Sequence, residues 1–599
     1  MKFRQPVILL ALISVATAFC LFPVRTDASQ FQKPRTFPVV SKGVQDVAAK
    51  IPADSSVHIW VYFTDKGFTS RAGLRRTLAA ASELVTERAR FRRHQRGAMT
   101  QSPGFSDIPV YEEYVESIRN IDGVERLRAT SRWFNAVSLS VKKRVIPEIT
   151  SQPFVLKIDL VKRARRRPAE ITVHPDNVEA AGLSTVFDGR DYGGSFEQLK
   201  QINALVAHAA GYTGKDILVL MLDTGYFTGH EAVDSSRIVA EYDFIWDDDN
   251  TQDDTLDAAG QQVHGTQTMS VLGGAAEGAL YGPAYECDFL LAKTEIIDQE
   301  DQIEEDLFVA ALEWGERVGA DVASSSLGYF DWYEFSDMDG NTAVTTRAVE
   351  MAVRRGMVCV TAVGNENVEG KTTMGTGWDH IIAPADADSV IAVGAVDAEG
   401  RITGFSSRGP TFDGRIKPEV VARGLNVTIA SGYFPTSYGR GNGTSFSTPL
   451  VAGAAAQVLQ AHPAWSPAQV RRAFMETANN AVVPNNVYGW GVIDVMEAIE
   501  FQQPTLADLV HIQNYPNPFS AYTFFKFPMA DSLRQVADLR LEIYNIRGEH
   551  ITTLQTTNQA GIFEWIVSEP PWHSLPNGVY ISRLVAGDVV ATNKMTLLR

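Results

Sequence analysis

The stretch Ile217–Leu222 is apolar at every position, and the chain leaves it through Asp223-Thr224-Gly225. Comparable short runs recur at Val322–Leu327, Met357–Val363 and Ser389–Val396, with helix-patterned segments between them at Phe308–Arg317, Thr342–Arg355 and, later, Pro467–Ala478. A run that is short and lacks period-two alternation is what a strand covered on both faces requires. Such strands separated by helices predict an α/β domain with a doubly wound parallel sheet. In open sheets of that class, reacting groups collect outside the carboxyl ends of the strands. The polar residues that terminate the runs therefore carry the functional information, and two stand out: Asp223, and Asn365 in Gly364-Asn365.

A third position lies in Asn442-Gly443-Thr444-Ser445, where turn formers give way to the small, apolar, helix-like stretch ending at Gly453. Pro449 suits a first helical turn, where its missing N–H has no partner in any case. Ser445 is then expected at or just before a helix N-terminus. Unpaired N–H groups and the positive end of the helix dipole gather there and can stabilise a developing oxyanion. A fourth is His264, opening His264-Gly265-Thr266 ahead of the helix-like Gln267–Leu272. Each of the four alone has an ordinary structural use, as a cap or a turn. Together they supply an orienting acid, a base, an oxyanion donor and a nucleophile, in the order Asp…His…Asn…Ser; chain order separates unrelated folds that carry one triad geometry.

On Asp223-Thr-Gly225, His264-Gly-Thr266, Ser324-Ser-Ser-Leu-Gly328, Ala362-Val-Gly-Asn365 and Gly443-Thr-Ser-Phe-Ser-Thr-Pro449, the chain resembles the subtilisin-like serine proteases from about Gly211 to Ile499. Phe405–Pro410 and Lys417–Val420 extend the likeness. Ser447, Gln267 and Met269 depart from the residues more usual at those places. The resemblance implies a serine endopeptidase with catalytic Asp223, His264 and Ser445 and an oxyanion hole using Asn365. It further implies that the segment Ser326, Leu327, Gly328 pairs with bound peptide as an added strand, a mode that draws affinity from the main chain. Gly328 and Gly364 point to a roomy specificity pocket. No cofactor is required for such catalysis, although relatives often bind structural calcium.

With 599 residues the chain exceeds one core, so several domains are expected. The formal charge of −17 is divided unevenly. Residues 1–168 hold 29 Lys and Arg against 14 Asp and Glu, a net of +15, which leaves −32 for the remainder. A basic N-terminal part before an acidic body implies two pieces that attract each other, and argues against nucleic acid as a partner of the body. Lys2, Arg4 and the apolar Val7–Phe22 read as a secretory signal, with a retained anchor as the rival reading. No other run approaches membrane-spanning length, so no span is expected in the mature form. Cys20, Cys287 and Cys359 are too few for a disulfide framework, and the last two read as buried, inert thiols.

The expected organisation is a signal peptide over 1–28, an α+β unit over 29–168, the catalytic domain over 190–501 and a C-terminal all-β sandwich over 509–599. In the second of these, Val57–Phe63, Trp133–Val141 and Phe154–Val161 read as strands, and Leu74–Gln95 and Tyr111–Arg119 as helices. By resemblance it is a ferredoxin-like propeptide that inhibits its own catalytic domain until cut. Lys162–Arg167 is then a processing site or a tether. Ser195–Ala210 reads as one helix. The acids of Asp243–Asp257 read as a solvated loop or a calcium site, and Asp301–Asp306 as more acidic surface. Tyr515-Pro-Asn-Pro-Phe519, Ile543-Tyr-Asn545, Gly578-Val-Tyr580 and Lys594–Leu598 resemble the C-terminal sorting domain of type IX-secreted proteins. That resemblance implies a secreted or cell-surface product, handed to secretion machinery through its C-terminal domain. Two rival functions are a catalytically inactive binding module on the same fold, and a sedolisin-type acid peptidase, against which His264 and Asn365 argue.

Overall fold

The computed structural model describes residues 38–68, 70–97, 103–161, 185–297, 303–367, 380–503, 513–526, 539–555, 562–568, 570–586 and 589–599. The chain divides into two compact units, the first running to Arg471 and including Ala478–Val495, the second formed by Arg472–Thr477 and Met496–Arg599. The signal stretch and the Lys162–Arg167 linker lie outside the described residues, as does Cys20. Among the described residues no helix is long and apolar enough to cross a membrane.

The first unit is built on a seven-stranded, wholly parallel sheet. From one edge to the other run Val420–Arg423, Ile391–Val396, Val358–Ala362, Val322–Ser325, Leu218–Asp223, Asp288–Lys293 and Ile238–Asp243. The sequence-predicted strands thus pair as expected, although Val322 onward is regular only to Ser325. Leu218–Asp223 is the first of them in the chain. The chain passes to one side of it and then, from Val322 on, to the other, so strand order reverses at its carboxyl end. Helices Ile303–Val318 and Val344–Val353 bury apolar faces on the sheet, with Phe308, Leu312, Ala348 and Val349 in one core with Leu220 and Leu290. Ser195–Ala210 is not one helix. It breaks into Phe196–Gln201 and Ala204–Ala209 because Asn203 takes a left-handed conformation (φ 60°) between them.

The N-terminal strands form a five-stranded sheet in the order Val39–Val40, Val155–Leu160, Ser56–Phe63, Ala136–Lys142, Val124–Ser131. The last four are antiparallel to their neighbours, and the first pairs parallel. The expected single helix over Leu74–Gln95 is two, Arg71–Glu83 and Glu87–Arg96. Thr86 interrupts it because its hydroxyl accepts the Ala89 N–H at 3.1 Å and so starts a new helix.

That second helix carries the basic excess to its partner. Arg92 and Arg93, both buried, converge on the buried Glu316. Arg93 donates Nε and Nη2 to its two carboxylate oxygens at 2.7 and 2.6 Å, and Arg92 pairs with it as well. Arg96 reaches Asp321 at 2.8 Å, and Arg132 reaches Glu316 at 3.2 Å. The orphan carbonyls at the end of helix Ile303–Val318 are also taken: Glu316 O by Arg92, Val318 O by Thr86 Oγ1 (2.6 Å) and Gly319 O by Arg88 Nε (3.2 Å). Cations at a helix C-terminus complement its dipole. Trp133 enters the core of the seven-stranded sheet, with the Arg355 guanidinium 4.7 Å from its ring. The expected acidic surface at Asp301–Asp306 is corrected where it is described. Glu304, Glu305 and Asp306 are buried: Trp332 and Tyr333 donate to Glu305, and Ser138 of the N-terminal sheet donates to Asp306.

The second unit contains two antiparallel sheets. One holds Gln513–Tyr515, Tyr522–Lys526 and Ile562–Ile566; the other holds His550–Gln555, Leu539–Asn545, Gly578–Ala586 and Val589–Leu597. Alternate residues such as Leu541, Ile543, Phe563 and Trp565 meet in one core. Phe519 joins that core and bonds the last strand through both backbone groups, Phe519 N to Thr596 O at 2.9 Å and Leu598 N to Phe519 O at 2.8 Å.

Candidate active site

Asp223 ends its strand at the reversal point, fully buried. His264 lies in the first turn of helix Val263–Gly273 rather than ahead of a helix. The helix can approach the strand end because position 265 has no side chain: a Cβ there would strike the Gly225 carbonyl oxygen and come within 3.1 Å of Asp223 Cβ. The result is a 2.6 Å hydrogen bond from His264 Nδ1 to Asp223 Oδ1. The carboxylate is fixed by two more donors, Thr224 N–H to Oδ1 (2.8 Å) and Thr268 Oγ1 to Oδ2 (2.9 Å). Thr268 was not singled out in the sequence, although it stands one helical turn after His264 and so on the same face. Burial lowers the proton affinity of the imidazole, but the Asp223 charge and hydrogen bond outweigh that and hold His264 above its ordinary value.

Ser445 is the second residue of helix Thr444–Ala461, after Gly443, whose φ of +148° favours glycine. Pro449 is therefore in the second turn and not the first. Its ring nitrogen faces the carbonyl of residue 445, four positions earlier, and has no hydrogen to give it. The Ser326 hydroxyl supplies the bond instead, reaching Ser445 O at 2.8 Å, while Ser445 Oγ donates to Ser326 O at 3.5 Å. Asn365 Oδ1 accepts from Thr444 N–H (2.8 Å) and Thr444 Oγ1 (3.0 Å), which leaves Nδ2 as the donor end beside the turn that carries Ser445. The His264 ring lies 6.1 Å, centroid to centroid, from Phe446, the residue after Ser445. The four sequence-selected residues are thus drawn to one place: a bonded acid–imidazole pair, a serine at a helix start and an amide against the same turn. Leu327 is nearly buried in the core, and Ser326 is committed to Ser445.

Several carboxylates of the acidic stretch are engaged by the protein's own groups. Lys293, at the end of the strand beside Asp223, is fully buried with its ammonium 2.7 Å from Asp243 and 2.6 Å from Asp257. Burial lowers its proton affinity, but the two carboxylates reverse this and hold it charged above its ordinary value. Asp253, Asp248 and Asp254 accept backbone N–H groups of their own loop. Among the described residues no cluster of three or more His, Cys, Asp or Glu is arranged to hold a metal. Cys287 and Cys359 are buried and unbridged; burial pushes the Cys287 thiol up to about 12 and Cys359 upward as well.

The subtilase family model matches residues 214–491, and a model of the peptidase S8 propeptide domain of Bacteroidota matches residues 58–174. Subtilisin E of Bacillus subtilis (strain 168) is 30% identical over 385 residues, which cover 61% of this chain and 88% of that protein. Subtilisin of Bacillus pumilus is 32% identical over 309 residues, covering 50% and 98% respectively. The crystal structure of MycP1 with its N-terminal propeptide removed aligns with 51% of this chain and 98% of its own at 24% identity, with a TM-score of 0.40. The chain belongs to the subtilase family and is a serine endopeptidase that carries a propeptide.

Proposed function

We propose that Asp223, His264 and Ser445 are the triad of a secreted endopeptidase made as a self-processing zymogen, with Asn365 in its oxyanion hole. The observation that carries this reading is the 2.6 Å Asp223–His264 bond beside a serine at a helix start. Ser445 Oγ turns from Ser326 O to His264 Nε2, gives up its proton there and attacks the scissile carbonyl. The proton then passes to the leaving amine, and water repeats the sequence on the acyl-enzyme. Asp223, held by Thr224 and Thr268, keeps the imidazole in the tautomer that presents Nε2 and stabilises the imidazolium. The Ser445 N–H and Asn365 Nδ2 receive the oxyanion; one such donor is worth about 3 kcal/mol of barrier. No step calls for a metal.

In this reading residues 1–28 direct export, 29–168 are the inhibitor, 190–501 the catalytic domain and 509–599 a type IX sorting domain. The ferredoxin-like reading of the propeptide is supported by the order of its four antiparallel strands, fourth, first, third, second. The sorting reading is supported by the motif containing Phe519 being bonded to the terminal strand. The test is Ser445→Ala in the full chain, which is expected to abolish casein hydrolysis, labelling by a fluorophosphonate and cleavage of the precursor. Casein hydrolysis surviving in that variant refutes the assignment.

A further inference from the structure

Two backbone segments leave the nucleophile turn side by side. One begins at Ser326, bonded to Ser445 O, and runs to Gly328; the other ends at Asn365, bonded to Thr444, and is preceded by Gly364. With glycine on each wall, the space between them is the natural slot for the substrate side chain nearest the attacked carbonyl, and the sequence alone implies that it is roomy. The structure fills it. A Cβ at Gly328 would collide with Ile382 Cδ1 and lie 2.6 Å from its Cγ1; one at Gly364 would lie 2.9 Å from the same Cδ1. The Ile382 side chain is therefore wedged between the two glycines.

The wedge is fixed. Ile382 N–H donates to Val363 O at 3.2 Å, and the next residue exchanges two backbone bonds with Tyr329, Tyr329 N to Ala383 O at 2.8 Å and Ala383 N to Tyr329 O at 3.1 Å. Each of the two walls is thus tied to residue 382 or its neighbour. The side chain is 4% exposed and β-branched, hence stiff at χ1. Its backbone is thus pinned to both walls, and its χ1 has few alternatives.

We infer that Ile382 closes this slot and restricts the enzyme to peptides with a small residue (glycine, alanine or serine) on the acyl side of the cleaved bond. The inference rests on the reading of Ser445 as nucleophile. In a hydrophobic pocket a single methylene already discriminates by about 10- to 200-fold, so a phenyl ring that cannot enter is rejected at least that strongly.

The test uses the processed enzyme and two peptide p-nitroanilides identical except for alanine or phenylalanine before the chromophore, with active sites counted by fluorophosphonate titration. The wild type is expected to prefer alanine by at least about 10-fold in kcat/KM. Ile382→Gly, or Ile382→Ala if the glycine variant gives no titratable sites, is expected to raise the phenylalanine-to-alanine ratio at least about 10-fold. Wild-type cleavage after phenylalanine as fast as after alanine overturns the inference whatever the variants do, and so does an unchanged ratio in a titratable variant. Failure of the catalytic reading looks different: wild-type Ser445 then takes no label.

Discussion

Glu316 is the point at which the N-terminal domain is most exposed to a single substitution. In Glu316→Gln the side chain keeps its shape but loses its charge, and its new NH2 faces the guanidinium N–H groups of Arg92 and Arg93. Those arginines and Glu316 are each at most 1% exposed, so water cannot compensate. Asp107 still holds Arg93 at 2.9 Å, whereas Arg92 keeps only carbonyl acceptors. Removing one partner of a buried pair costs about 3–5 kcal/mol. Since Arg92 and Arg93 belong to one domain and Glu316 to the other, that cost falls on their association, roughly 100- to 4,000-fold in Kd. The assay starts from the Ser445→Ala precursor with a specific protease site placed between residues 162 and 184. After cleavage, dissociation of the N-terminal fragment is followed by analytical gel filtration on dilution, with and without Glu316→Gln. Burial would raise the Glu316 carboxyl, but Arg92 and Arg93 hold it down at about 2. A carboxyl depressed in the complex contributes fully above its ordinary pKa near 4.5, and that contribution is lost as pH falls from there towards 2. Association should therefore weaken below about pH 4.5. A change in Kd under about threefold in the Gln variant would refute the reasoning, because no buried charge would then have been left unpaired.

Three further outcomes rest on the same kind of geometry. The base must be neutral to accept the Ser445 proton, so kcat/KM should rise with pH through a midpoint above the ordinary histidine value of 6.5. Asp223→Asn should move that midpoint down and lower kcat about 10,000-fold, read from steady-state pH profiles. Lys293→Ala leaves Asp243 and Asp257 buried without a counter-charge. It should destabilise the catalytic domain by about 3–5 kcal/mol, a fall of roughly 6–20 °C in Tm by calorimetry; a Tm within 2 °C of wild type would show that the ammonium holds nothing together.

The parallel sheet was legible because its strands are covered on both faces, and continuous apolar runs such as Ile217–Leu222 have few other uses. The candidate residues Asp223, His264, Asn365 and Ser445 could be singled out because each sits beside a break that the sequence marks with glycine. The charge asymmetry was legible as a total, but its use was not. Nothing in Glu87–Arg96 distinguishes a solvated arginine face from one buried against Glu316, since the carboxylate lies more than two hundred residues away. Lys293 was hidden for the same reason: an acidic loop and one lysine on another strand give no local signal of their pairing. Ile382 was hidden by adjacency of a different kind, because the glycines that seemed to make room are also what lets a distant side chain enter.

Pro449 shows where the boundary falls. A proline inside a helix leaves the carbonyl four residues earlier without its donor, and that relation needs no coordinates. Placing the helix start at Thr444 then makes the orphaned carbonyl that of Ser445. That carbonyl is only partly buried, yet without its helical donor it calls for another, and a polar side chain does meet it. Its identity is a tertiary fact, settled only by the strand that ends at Ser325 and delivers the Ser326 hydroxyl to 2.8 Å. The same bond ties the Ser326–Gly328 segment to the backbone of Ser445. The proline that looks like a helix flaw is thus what couples the placement of Ser326 to that of Ser445, the two residues that the proposed mechanism assigns to substrate and to attack.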